Sequence, residues 1–126
     1  MGPGQALRVL FDGSHGSGVR IDYGNFSVLA TPALRRADEN TLLLQGGLAP
    51  ATALLVGDNG SERASGAEWV EALNPHLALI SVGARYSPAP AILGRLAGRA
   101  ILRTDRNGWI ELSTDGERMW VEVERR

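Results

Sequence analysis

The polar residues with the most chemical promise form one short run, Asp58-Asn59-Gly60-Ser61, directly after the apolar run 54–56. In α/β folds the loop after a buried strand is where ligands usually sit. A carboxylate, an amide and a hydroxyl at such a place could hold an ion, or a phosphate through backbone N–H groups. The plainer reading is a tight turn, because Asp, Asn and Gly all suit positive φ. Ser61 as a nucleophile would need a base beside it, and none is evident locally. Arg85-Tyr86 follows the second apolar run, 77–82. It reads either as a surface ion pair and ring, or as a nucleic-acid contact with arginine on phosphate and tyrosine stacked on a base. Arg103, Arg106 and Trp109 offer a second grouping of that kind, with a plain hairpin surface as the alternative.

A hydrolytic zinc site needs about three protein ligands and an open position. The chain has two histidines, His15 in a Gly/Ser turn and His76 between Pro75 and an apolar run, and no cysteine. His15 reads as a solvent-exposed loop residue and His76 as a strand-edge residue. Their spacing makes no cluster, so no metal and no cofactor is expected. Without cysteine, disulfides and thiolate sites are excluded.

The 126 residues suit a single domain over 1–126, with 44% apolar and 21% charged residues. The formal net charge of −1, with 13 basic residues that are all arginine, gives no global field toward nucleic acid or anionic membrane. No apolar run approaches about 18 residues, so no segment is expected to enter a bilayer. Residues 1–4 are too short and too polar for a signal peptide.

The elements that must position these groups follow from pattern. Residues 7–11 (LRVLF) alternate as a short strand, and 12–18 (DGSHGSG) form a turn cluster. Strands 19–23 and 26–31 flank Gly24-Asn25 as a hairpin, ended by Pro32. Residues 33–45 are helical in part, with Asp38 as a cap and Gly46-Gly47 as the stop. Residues 52–56 are a strand buried on both faces. Ser65 and Glu68 then make a capping box for a helix presenting Trp69, Val70 and Leu73, ended by Asn74-Pro75. With strand 77–82 this is a βαβ crossover, parallel and right-handed. Ser87-Pro88 opens a third helix, with Gly98 as its C-cap. Strands 99–104 and 109–113 surround Asn107-Gly108, and Asp115-Gly116 turns into strand 119–124, closing an antiparallel meander. The three tryptophans read as core residues. Arg35-Arg36 reads as a solvated helix start.

The stretches LLVGDNGS, EWVEALNPHLALISVGARYSPAPAILGRL and RAILRTDRNGWIEL, with the earlier DYGNFSVLATPAL, carry a resemblance. Over roughly 19–112 the chain resembles the C-terminal half of the metallo-β-lactamase-like domain of ComEC-type competence proteins, which take up single-stranded DNA in natural transformation. The departures fall on the metal positions. A histidine pair before Gly-Ser is replaced by Asp58 and Asn59, Thr-Gly-Asp by Thr31-Pro32-Ala33, and Tyr-Gly-His-Pro by the shorter Tyr86-Ser87-Pro88. The family's first His/Asp motif has no counterpart. Among the aligned metal positions only Asp58 keeps a group that could bind a cation.

The resemblance implies an α/β fold, a mixed β-sheet with flanking helices that is half of an αββα sandwich. It implies a metal-free, non-catalytic domain that is structural or contacts single-stranded DNA. It also implies a soluble segment of a cell-membrane protein, with the remainder of that protein as a partner. Two alternatives stand beside it: a metal-dependent nuclease or phosphoesterase completed by another segment or chain, and a protein-interaction or dimerisation module. Half a sandwich leaves one apolar sheet face to cover. The covering layer is the missing half, a second copy, or the terminal meander folded back. A homodimer of the isolated chain is therefore expected.

Overall fold

The computed structural model describes residues 5–13, 16–83 and 85–126, with side chains described from Gly18 onward. His15 lies outside the described residues. The architecture is α/β with a mixed sheet. Strands β1 (Gln5–Gly13), β2 (Gly16–Tyr23), β3 (Phe26–Ala30), β4 (Ala53–Leu55), β5 (Leu77–Ile80) and β6 (Ala100–Arg103) lie side by side in chain order. The first three are antiparallel, and β3 to β6 are parallel. The β2–β3 hairpin turns at Gly24-Asn25, where Gly24 takes φ +55°, as the sequence predicts.

Each parallel crossover carries one helix: α1 (Arg36–Gln45), α2 (Ala67–Leu73) and α3 (Pro90–Arg95). Because spatial order equals chain order, crossovers of one hand place all three on the same face. The core lies between them and the sheet. Leu29, Leu54 and Ala78 from adjacent strands meet Leu42, Trp69, Leu73, Ile92 and Leu96 from the helices. Ala53 and Leu54 are both fully buried on opposite faces of β4, as expected for a strand inside the sheet. Among the described residues no helix is long and apolar enough to cross a membrane.

The helix ends hold two corrections. α2 begins at Ala67 with Gly66 as N-cap, and the Ser65–Glu68 capping box does not form. Ser65 is held at φ +57°, and the N–H groups of Ser65 and Gly66 both donate to the buried Glu39 carboxylate, at 2.6 and 3.0 Å. A side chain from α1 thus does the work expected of the local cap. α3 begins at Pro90 with Ala89 as N-cap, rather than at Ser87-Pro88, and its C-cap is Leu96 rather than Gly98. Pro88 is instead buried against Gly60, and the Ala89 N–H donates to the Gly60 carbonyl at 2.9 Å. α1 meets its expectation: the Asp38 carboxylate accepts the Arg35 N–H at 3.0 Å and Gly46 ends the helix at φ +74°.

The tail departs most from its expected meander. β6 does not pair with the next strand; it is the parallel neighbour of β5, with Ile80 opposite Arg103. The chain then makes a helical turn, α4 (Thr104–Asn107), with Gly108 as its C-cap at φ +70°. Asn107-Gly108 therefore ends a helical turn instead of making a hairpin. The reason is tertiary: the Thr104 hydroxyl accepts the Val82 N–H at 2.8 Å and donates to the Val82 carbonyl at 3.0 Å. Strands β7 (Ile110–Thr114) and β8 (Met119–Val123) pair only with each other, as an antiparallel ribbon.

The ribbon meets the sheet at its two ends. Its tip touches the β2–β3 turn, where the Asn25 N–H donates to the Gly116 carbonyl at 2.9 Å. Its base reaches β6, where Trp109, Val121 and Val123 share a cleft with Leu102. On the face opposite the helices Ala53 and Leu77, in register with each other, are buried. The neighbouring in-register row Val19, Ala30, Leu55, Leu79 and Leu102 remains only half-buried.

Candidate functional site

The loops that leave β4, β5 and β6 emerge on one edge of the sheet, since the three strands are parallel. After β4 the residues Gly57–Gly60 form a tight turn, as the plainer reading expects. Asp58 and Asn59 both adopt left-handed backbone, at φ +48° and +55°, which short polar side chains tolerate best. Gly57 lets the chain pass close to the β3–α1 loop: a Cβ there would lie 2.9 Å from the carbonyl oxygens of Thr31 and Leu34. The Asp58 N–H donates to the Pro32 carbonyl at 2.8 Å. The Asn59 amide donates to the Ser81 carbonyl at 2.7 Å. Ser61 Oγ accepts the Arg63 N–H at 3.1 Å.

This turn and the loop after β5 border a cleft of about 380 Å³, lined by Asp58, Asn59, Ser61, Gly83, Tyr86 and Ser87. The structure thus brings Tyr86 to the Asp58–Ser61 run across the sheet edge. Gly60 is buried under the cleft against Pro88 and does not line it. Tyr86 is 74% exposed. Arg85 is exposed and lies outside the cleft. Ser87 also belongs to the lining; the sequence marked it as a helix cap and as part of the departing stretch Tyr86-Ser87-Pro88.

The donor set decides what the cleft can hold. It offers one carboxylate, Asp58, with the Asn59 amide N–H already given to Ser81. Among the described residues no group of three or more His, Cys, Asp or Glu converges on one point. His76 stands at the amino end of β5, where its carbonyl accepts the Ala100 N–H, far along the strand from Asp58. These residues do not fit the two-cation centre of a metallo-hydrolase. They suit a polar contact: hydroxyls, one carboxylate and an open aromatic face.

The second predicted grouping is divided. Arg103 is only 9% exposed, and its guanidinium binds both oxygens of Asp105, at 3.0 and 2.7 Å. That pairing holds the Asp105 carboxyl below its ordinary value and raises the arginine's. Arg106 and Trp109 are exposed on either side of Asn107. Of the three tryptophans only Trp69 is core; Trp109 and Trp120 are 52% and 49% exposed. The expectation of three core tryptophans fails because the tail ribbon has one of its faces in solvent. Family models, curated proteins and solved structures give no match to this chain.

Proposed function

We propose that this chain is a non-catalytic, metallo-β-lactamase-like domain of a ComEC-type competence protein, one half of an αββα sandwich, that contacts single-stranded DNA during uptake. The parent protein is membrane-embedded on this reading, and this segment lies outside the bilayer. The observation that carries the proposal is the cleft at the sheet edge. The resembling stretches 54–61 and 77–88 supply its lining, with an exposed Tyr86 and polar groups where the family has metal ligands. An open ring beside hydroxyls serves base stacking and hydrogen bonding to base and sugar without cleavage, while the Asp58 carboxylate keeps phosphates outside the cleft. The half-buried apolar row Val19, Ala30, Leu55, Leu79 and Leu102 supports the sandwich half and, for the isolated chain, a second copy as the covering layer.

The test is a fluorescence-anisotropy titration of a labelled single strand of about 12 nucleotides, with Tyr86→Ala beside the wild type. Wild-type binding that weakens about 5-fold or more in the variant supports the proposal, as loss of one stacked base does. Absence of binding at low salt refutes it.

A further inference from the structure

We propose that the free edge of β6 carries a second single-stranded-DNA contact, in which Arg106 and Arg126 hold a phosphate and Trp109 stacks the adjoining base. This rests on the DNA-contacting reading above and adds to it a place, separate from the Asp58 cleft, and a division of labour.

Two clefts open on the two sides of the edge strand. Successive residues of a strand point to opposite faces. Ile101 and Arg103 face the helix layer and border the first cleft, of about 470 Å³, together with Leu93, Arg106, Asn107 and Arg126. Leu102 faces the ribbon layer and borders the second, of about 650 Å³, together with Trp109 and Val121. Asn107 and Arg126 line both clefts. The pair is therefore one continuous surface wrapped around the edge of the sheet.

Charge assigns the parts. Three guanidinium groups and no Asp or Glu side chain line the first cleft. Arg103 is neutralised by Asp105, so the charge available to a ligand comes from the exposed Arg106 and Arg126. Planar guanidinium groups suit phosphate oxygens, which they can bind in pairs. The second cleft contains Glu122, which repels phosphate, and the half-exposed Trp109 ring, which offers a stacking face. A phosphate therefore belongs to the first side and a base to the second. Nucleic acid with unpaired bases meets both demands; a duplex keeps its bases stacked within the helix.

The edge also disfavours the other common visitor to a sheet edge, an added protein strand. Such a strand needs free backbone groups. The Arg103 N–H is already taken by Asn107 Oδ1, at 3.0 Å.

The test titrates the full chain with labelled oligothymidylate of about 12 nucleotides, between about 50 and 200 mM salt. Four proteins are compared, with folding checked by circular dichroism: wild type, Arg106→Glu, Trp109→Ala and Tyr86→Ala. Two or three phosphate contacts predict that wild-type affinity falls about 7- to 20-fold over that range. Arg106→Glu should weaken binding and flatten the logarithmic salt slope by about 0.7. Trp109→Ala should weaken it about 5-fold or more. Binding by the wild type that Tyr86→Ala weakens while both edge variants leave it unchanged overturns this inference and spares the earlier reading. No wild-type binding at low salt overturns both. Equal affinity for a matched duplex overturns the stacking role of Trp109.

Discussion

The side-chain amide of Asn59 donates to the backbone carbonyl of Ser81 at 2.7 Å, fastening the turn after β4 to the end of β5. The bond holds one wall of the cleft against the other strand's loop. It also helps to stabilise two successive residues in left-handed backbone, a conformation that costs most side chains about 1–2 kcal/mol each.

The two contributions of Asn59 separate by substitution. Asn59→Ala loses the hydrogen bond and adds the left-handed backbone cost that asparagine largely escapes, and is expected to destabilise by about 2 kcal/mol. Asn59→Gly loses the bond without adding a backbone cost, and is expected to cost about 1 kcal/mol. Urea denaturation of the three proteins reads the difference. Equal losses in both variants would show that backbone conformation contributes nothing here.

Glu39 gives a pH signature. Burial pushes its carboxyl above the ordinary 4.5, against the lowering effect of the Ser65 and Gly66 N–H groups. A group whose folded-state value is raised binds its proton more readily in the folded chain. Its contribution to stability is therefore fully present below pH 4.5 and declines as pH rises through the folded value. Glu39→Gln should abolish that decline. It should also cost about 1–3 kcal/mol near neutrality, because an amide can accept only one of the two N–H groups through its oxygen. Denaturation midpoints across the acid range, wild type against variant, check both statements.

Asn107 ties the ribbon to the sheet. Its Oδ1 accepts the Arg103 N–H and its Nδ2 donates to the Arg125 carbonyl, each at 3.0 Å. Asn107→Ala is expected to cost about 1–3 kcal/mol and to loosen the ribbon selectively. Hydrogen exchange should speed up in β7 and β8 while β4 and β5 stay protected. Uniform acceleration across the sheet would contradict this.

The half-covered sheet face is expected to pair with a second copy. Light scattering should give about 27 kDa, twice the 13.4 kDa of one chain. Ile21, in register with Val28 on that face and 41% exposed, is a mild place to introduce charge. Ile21→Glu should return the mass to that of one chain with the fold intact. A wild-type monomer at high concentration would count against the dimer.

What could be read from the sequence divides by range. The Gly24-Asn25 hairpin, the Asn74 and Gly46 helix ends and the parallel β4–α2–β5 unit are set by neighbours in the chain, and pattern finds them. Asn107-Gly108 looks no different locally, yet it ends a helical turn because Val82, 22 residues before Thr104, holds the Thr104 hydroxyl, and Arg125, 18 residues on, claims the asparagine amide. Ser65 fails as a cap because Glu39, 26 residues away, takes its N–H. At the candidate site, the run Asp58–Ser61 was legible from its place after a buried strand. Its meeting with Tyr86 followed from the parallel order. Arg126 gave no signal, since only the return of the ribbon brings the chain end beside Arg106.

The central claim is contact with single-stranded DNA without cleavage. The most direct measurement is one titration of end-labelled single strand with the chain in Mn²⁺, read on native gels for retardation and denaturing gels for length. The account predicts a retarded strand of unchanged length, in the wild type and in Asp58→Ala alike. Shortening that needs the metal and disappears in Asp58→Ala would contradict it, and so would a strand that is never retarded.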